Sequence, residues 1–437
     1  MGMGADVRAQ LERLPSRARW LLGRVADEAL ARGADPYLVG GVVRDLLLGR
    51  KTVDLDVVTV GDATAIAAAL AAREEPGPDL RLHERFGTAT LAWPEGPSLD
   101  LITARREAYP VPGALPVVTP GTLDDDLRRR DFTINAMAVS LAPATLGELL
   151  DPLGGRADLA AGLVRALHAG SFRDDPTRML RATRYAGRLG FTIEPETLAW
   201  LRDAVAAGAL ATVSVDRTLH EFKRLLAEPA AAAMVGRLSE LGLLAQLHPG
   251  LRWDDTARRA YADLDRLCPL AGPGGLTAID LWMGRLAILA AGLTTDGARE
   301  AADALHLPQE AARLLDEVVR LRVRLPALGE TLPNSALGVL LDPFSPPAIA
   351  TVAAIEPEGT ARSQLLRYLT AVRATVPALR GDALRALGVP PGPIYREALA
   401  ALLARKRDDP AFAAEGERAF MVGWLRERGA LPEALTE

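Results

Sequence analysis

The pattern of apolar residues changes character near residue 150, and that change limits the possible folds more than any single motif does. Before it, short apolar runs alternate with turns and helical stretches. Beyond it the spacing is helical almost throughout, broken by Asp-Pro, Gly-Pro and Pro-Pro pairs. At 437 residues the chain is too long for one ordinary core. The expected fold class is α+β, a small mixed β-sheet with helices followed by an all-α remainder. The expected divisions are 1–145, 146–270 and 271–437, with Pro269 to Gly275 as the clearest linker candidate.

The first thirty-odd residues read as one amphipathic helix, with Leu11, Leu14, Trp20, Leu21, Val25 and Leu30 near helical spacing. Tyr37 to Val39 is a short strand, Gly40-Gly41 a turn, and Val42 to Leu48 a helix closed by Gly49. Val53 to Val60 alternates as a half-buried strand, Ala63 to Ala72 is helical, and strands are expected near Thr88–Trp93 and Leu99–Thr103. Arg105 to Thr122 reads as a long loop, a class that is often functional, and a basic element runs from Leu127 to Leu141.

Net charge is −5, so nucleic acid would have to be held by local basic patches. One cysteine, Cys268, excludes an internal disulfide and argues against a Cys-rich zinc site. None of the five histidines begins an HExxH pair. With no basic-then-apolar leader and no run of about 18 apolar residues, the expectation is a cytoplasmic protein without a membrane partner.

Three constellations carry chemistry. In the first, Gly40-Gly41-Val42-Val43-Arg44-Asp45 stands at a strand-to-helix turn, where paired glycines let a phosphate approach the backbone. Asp54-Leu55-Asp56 follows on an expected strand, so the two carboxylates share a face. Side by side they repel unless cations sit between them, and magnesium suits such ligands. An isolated Asp-x-Asp reads more simply as a solvated strand edge; after this turn the cation-binding reading is preferred. Leu38 to Gly49 with Asp54-Leu55-Asp56 closely resembles the signature of class II tRNA nucleotidyltransferases, which include CCA-adding enzymes, A-adding enzymes and bacterial poly(A) polymerases.

The resemblance implies a five-stranded nucleotidyltransferase head over 1–145, a nucleotide-selecting and RNA-binding neck and body over 146–270, and a tRNA-binding tail over 271–437. It implies two magnesium ions held by the catalytic Asp54 and Asp56, with Gly41 and Arg44 on the nucleotide. Asp100 is a candidate third carboxylate. The implied partners are the tRNA 3′ end, with CTP and ATP as substrates, and not DNA.

The second constellation is Asp124 through Ala136, with four acids, three arginines and an apolar anchor. Arginine forks bind phosphate, and an adjacent Asp can hold a guanidinium in place. A charge run alone is usually a solvated face, but Arg129-Arg130-Asp131-Phe132-Thr133-Ile134-Asn135-Ala136 matches the family's second motif. By that resemblance Arg130 contacts the triphosphate, while Arg129, Asp131 and Asn135 shape the ribose side. The stretch from Thr103-Ala104-Arg105-Arg106-Glu107 through Pro116 resembles the family's flexible loop. CC-adding enzymes typically lack that loop, so its presence implies that adenosine can be added.

The third constellation is Asp174-Asp175-Pro176-Thr177-Arg178, with Asp175 placed as a helix cap and Pro176 at the first helical position. Capping does not explain Arg178, Arg181, Arg184 and Arg188, which lie along one helix face and repel unless an anion or acids compensate. Cytosine and adenine each offer an amine donor beside a ring-nitrogen acceptor, which one Asp and one Arg can match. Uracil and guanine present the reverse. The segment resembles the family's template motif, with Asp174 where the family has Glu, and the resemblance carries Arg181 and Arg184 over as nucleotide contacts. The narrower alternatives are an A-adding enzyme with a separate CC-adding partner and a poly(A) polymerase. An inactive RNA-binding scaffold is the non-enzyme alternative. Arg320, Arg322, Arg324, Arg405, Lys406 and Arg407 are candidate phosphate contacts for which a solvated face is the simpler reading.

Overall fold

The computed structural model describes residues 7–50, 54–74, 77–94, 96–271 and 281–431. Val53 and the 272–275 part of the linker candidate lie outside them. Contacts divide the chain into two compact units, Met1–Leu225 with Glu240–Gln246, and Leu226–Ser239 with Leu247–Glu437.

In the first unit the expected opening helix is two helices, α1 (Val7–Glu12) and α2 (Ser16–Ala31). Pro15 between them has no N–H to continue the ladder and sits in extended backbone, φ −50° and ψ 144°. The chain continues through β1 (Asp35–Val39), α3 (Gly41–Leu47), β2 (Leu55–Val60), α4 (Ala63–Ala71), β3 (Asp79–His83), β4 (Thr88–Ala92) and β5 (Leu99–Thr103). Asp62 starts α4 by accepting from the Thr64 and Ala65 N–H groups, both at 3.0 Å. The buried Ile66, Ala67 and Leu70 of α4 face a sheet whose Val57, Leu91 and Leu101 are fully buried, and α4 packs on β4 and β5. Each such aliphatic contributes roughly 1.5–3 kcal/mol.

The expected loop from Arg105 contains a hairpin, β6 (Arg105–Ala108) antiparallel to β7 (Val117–Pro120). The basic element is likewise divided. A Thr122/Asp125 capping box opens α5 (Leu123–Arg128), a single turn of 3-10 helix spans Thr133–Asn135, and β8 (Ala138–Ser140) and β9 (Leu149–Leu150) follow.

The main sheet is mixed, in the order β3-β4-β5-β2-β1-β8-β9, with β2 and β5 parallel and the other pairs antiparallel. It has seven strands where the resemblance implied five. β3, β8 and β9 escaped the sequence for physical reasons: β3 is largely exposed, β8 is buried on both faces and so does not alternate, and β9 has two residues.

The unit closes with α6 (Gly155–Ala161), β10 (Leu163–Val164), α7 (Ser171–Asp174), α8 (Thr177–Leu189), β11 (Thr192–Ile193), α9 (Pro195–Ala206) and α10 (Val215–Ala227), the last running across the division. β10 and β11 pair in parallel, a two-residue exception to the helical reading beyond 150.

The second unit is helical throughout its described residues. Its centre is the helix Pro346–Ile355, buried from Ala348 to Ile355, against which Asp255–Leu267 and Gln309–Arg324 pack. Arg285 is buried and donates to the Leu226 and Glu228 carbonyls at 2.6 and 2.8 Å and to both oxygens of Asp265. A separate small core of Leu384, Ala398, Leu402, Met421 and Leu425 holds the last helices together.

The basic residues singled out here have protein partners. Arg320 pairs with Asp316, Arg322 donates to the Ala291 carbonyl, and Arg324 lies over the Phe344 ring. Arg405 pairs with Asp409, Lys406 with the buried Glu417, and Arg407 with Asp342. Among the described residues no single helix is long and apolar enough to cross a membrane.

Candidate functional site

A cleft of about 800 Å³ lies within the first unit. Its wall brings together Gly41, Arg44, Asp54, Asp56, Arg105, Arg130, Asp131, Asn135, Asp175, Arg178, Arg181 and Arg184, from positions up to 143 residues apart in the chain. They come from the start of α3, the start of β2, the β6–β7 hairpin, the segment from α5 through the 3-10 turn, and α8 with the turn into it.

The turn into α3 depends on Gly40. Its φ is +76°, and a Cβ there would lie 2.7 Å from Arg130 Nη1 and 3.6 Å from Asp56 Oδ2. The sequence points to Gly41, but the steric demand falls on Gly40, and both line the cleft.

β2 begins at Leu55, so Asp54 stands just before the strand and is exposed, while Asp56 is in register with Asp100 on the parallel β5. Burial pushes the Asp56 carboxyl up to about 6; Arg130 opposes this, and the charges of Asp100 and Asp54 add to it. Asp100 does not line the cleft, and its Oδ1 accepts from Thr90 Oγ1 at 2.6 Å. Among the described residues no group of three or more His, Cys, Asp or Glu side chains is arranged to hold a metal ion.

The donor set nonetheless suits a divalent cation brought with phosphate. Two carboxylates with water and phosphate oxygens make a usual magnesium site, and Asp56 is held in a setting that disfavours its charge. The cleft carries ten arginines against eight carboxylates, a difference of +2. A triphosphate near −4 is not neutralised by that difference, and divalent ions would close the gap.

The basic segment is a buried ion network. Asp126 is fully buried, with Oδ1 2.7 Å from Arg129 Nη2 and Oδ2 2.9 Å from Arg130 Nη2. Glu107 Oε1 takes Arg105 at 2.9 Å and Arg129 at 3.1 Å, and Oε2 takes the Tyr109 hydroxyl. Arg44 donates to Asp45 at 2.9 Å and to Asn135 Oδ1 at 2.6 Å; Asn135 Nδ2 donates to Asp131 Oδ1 at 2.9 Å. Asp131 Oδ2 takes Arg181, from Nε at 2.9 Å and Nη2 at 2.5 Å. Asp131 therefore holds an arginine of α8, fifty residues away, rather than its neighbours Arg129 and Arg130. Burial alone would raise its carboxyl, but Arg181 and Asn135 bring it down to about 2.

Within the arginine row of α8, Arg181 and Arg184 find their acids in Asp131 and Glu221. Glu221 on α10 lies 3.1 Å from Arg181 and 3.3 Å from Arg184. Arg44, Arg181 and Arg184 surround the Tyr185 ring at 5.2, 5.6 and 4.9 Å. Arg178 donates to Ser171 Oγ and to the Arg129 carbonyl, both at 2.8 Å, which ties α8 to the basic segment.

The cap position of α8 falls to Pro176, one residue later than expected; Asp175 just ahead of it accepts from Thr177 N at 3.0 Å and its hydroxyl at 2.6 Å, and Arg217 of α10 pairs with it at 3.0 Å. Arg217 also donates to the Gly113 carbonyl at the hairpin tip at 2.8 Å. A Cβ on Gly113, φ +73°, would collide with Thr212.

Asp126 carried a sequence signal, its spacing of three and four from Arg129 and Arg130 on a helix. The links from Glu107 to Arg129, from Arg217 to Gly113 and from Glu221 to Arg181 and Arg184 carried none, because these partners lie 22 to 104 residues apart.

Likeness to known proteins is extensive. Residues 36–165 match the family described as "Poly A polymerase head domain", and 190–254 match "Probable RNA and SrmB- binding site of polymerase A". The chain is 35% identical over 435 residues to a CC-adding tRNA nucleotidyltransferase of Deinococcus radiodurans, covering 99% of this chain and 98% of that protein. It is 33% identical over 409 residues to an A-adding tRNA nucleotidyltransferase of Geobacter sulfurreducens, covering 92% of this chain but 46% of that protein. It thus spans about half the length of several curated relatives it matches. A Thermotoga maritima CCA-adding enzyme solved in complex with tRNA superposes with a TM-score of 0.78 at 29% identity, covering 97% of this chain and all of that one.

Proposed function

Because this chain belongs to the family of tRNA nucleotidyltransferases and poly(A) polymerases, we propose that it adds or repairs the 3′-terminal CCA of tRNA with CTP and ATP, releasing pyrophosphate. The observation that carries the reading is that one cleft is lined both by Asp54 and Asp56 and by Asp175 and Arg178, a carboxylate pair beside a base-matching pair. Relatives include CCA-, CC- and A-adding tRNA nucleotidyltransferases, and solved neighbours include complexes with ATP and with CTP.

In this reading 1–145 is the catalytic head, 146–270 selects the nucleotide and meets RNA, and 271–437 binds tRNA. Enzymes of this family generally use divalent ions, and Asp54 and Asp56 would hold magnesium here, two ions in all. Bound there, magnesium lowers the cost of charge on the attacking 3′-oxygen and the departing pyrophosphate. Arg44 and Arg130, fixed by Asn135, Asp45 and Asp126, offer their remaining N–H groups to the triphosphate. Arg105, Asp131 and Asn135 support that side of the cleft. Asp175 accepts from the base amine and Arg178 donates to the ring nitrogen, which suits cytosine and adenine. A cytoplasmic location goes with this function.

The test offers the protein and magnesium three tRNA transcripts, ending before CCA, after C and after CC, with CTP, ATP or both. Completion of CCA on the shortest supports the proposal. Extension of the CC-ended tRNA alone, by A, replaces it with the A-adding reading, and no extension of any tRNA removes both.

Arg178→Ala should relax base choice. Discrimination against UTP and GTP is expected to fall by about 100-fold or more, since a lost donor in a dry pocket carries most of the selectivity. Competition assays that return unchanged C and A preference would remove the base-matching role.

A further inference from the structure

Asp54 and Asp56 are treated very differently by the fold. Asp56 lies within β2, between β1 and β5, and is half-buried, so the ladder and its neighbours fix it. Asp54 precedes the strand and is exposed. A ligand that the ladder does not hold loses geometric definition, and a metal site needs its first ligands oriented by a second set of contacts.

Ser98, the residue before β5, makes two contacts at this point. Its carbonyl accepts the Leu55 N–H at 3.0 Å, joining the start of β2 to the start of β5. Its hydroxyl donates to Asp54 Oδ1, also at 3.0 Å. We infer that Ser98 is a positioning residue for Asp54, its hydroxyl setting the carboxylate plane from which a divalent cation is held.

The Ser98 hydroxyl uses one of about four lone-pair sites on the carboxylate. The contact is at the surface, where a single hydrogen bond does little for stability. Its effect is therefore orientational, and it should appear in metal affinity rather than in melting temperature. The inference rests on the divalent-ion reading above.

The test measures Mn²⁺ binding to the full chain by electron paramagnetic resonance, without nucleotide or RNA, for the wild type, Ser98→Ala, Ser98→Thr and Asp54→Ala. Ser98→Ala is expected to weaken Mn²⁺ about tenfold with the melting temperature kept within about 2 °C. Ser98→Thr, which keeps the hydroxyl, is expected to restore it, and Asp54→Ala to lose it further. Wild-type affinity in Ser98→Ala beside loss in Asp54→Ala overturns the inference alone. Wild-type affinity in both overturns the metal reading and the inference with it.

Discussion

In the Asp56→Asn variant, nucleotide addition is expected to fall at least about a thousandfold while the metal-free protein melts at a higher temperature than the wild type. The two effects have one cause. The fold disfavours the Asp56 charge, through burial and the nearby Asp100 and Asp54, and pushes its carboxyl up to about 6 from 3.8. Above pH 6 the wild type keeps that charge at a cost of about 3 kcal/mol, which the amide does not carry. As pH falls from 6 toward 4 the wild-type carboxyl takes up a proton and the difference in stability shrinks. Calorimetry in EDTA from pH 8 to pH 4, beside single-nucleotide-resolved addition, checks both. Asp54 is exposed, so Asp54→Ala should lose activity similarly, without the gain in stability and with tRNA binding largely kept. A less stable Asp56→Asn protein would mean that the carboxylate serves the fold, and near-normal turnover in either variant would overturn the catalytic assignment.

The second large effect is on the fold itself. Asp131→Ala is expected to cost about 3–5 kcal/mol, the usual result of removing one partner from a buried ion pair. It leaves the Arg181 guanidinium facing Glu221 alone and removes the acceptor that orients Asn135, which in turn holds Arg44. The carboxyl lies near 2 in the fold, below its unfolded value, so its contribution is complete above pH 4 and is lost as pH falls through 2. The gap between wild type and variant in urea unfolding should therefore be constant from pH 7 to pH 5 and narrow below pH 4. The loosened Arg44 should also raise KM for the nucleotide more than KM for RNA. In a double-mutant cycle with Arg181→Ala the two substitutions should be strongly non-additive. Additive losses would show that the pair is not the unit described.

Sequence alone determined what local spacing can carry. The change of pattern near 150, the strand-turn-helix at Gly40-Gly41, the Asp175 turn into α8 and the arginine row of α8 follow from residues within one or two turns of each other. Such features depend on backbone geometry and i to i+4 neighbours, which are the same in any fold.

Only the tertiary structure decided which acid meets which arginine. Asp131 chooses Arg181 over the adjacent Arg130, Glu107 reaches Arg129, and Glu221 completes the row, because packing sets those distances and sequence separation does not. It also divided the expected loop into a hairpin and moved the steric demand from Gly41 to Gly40, where Arg130 passes 90 residues later in the chain. A buried charge must be paired wherever its partner comes from. The local sequence can show that an arginine needs an acid, but long-range contact selects the one it gets.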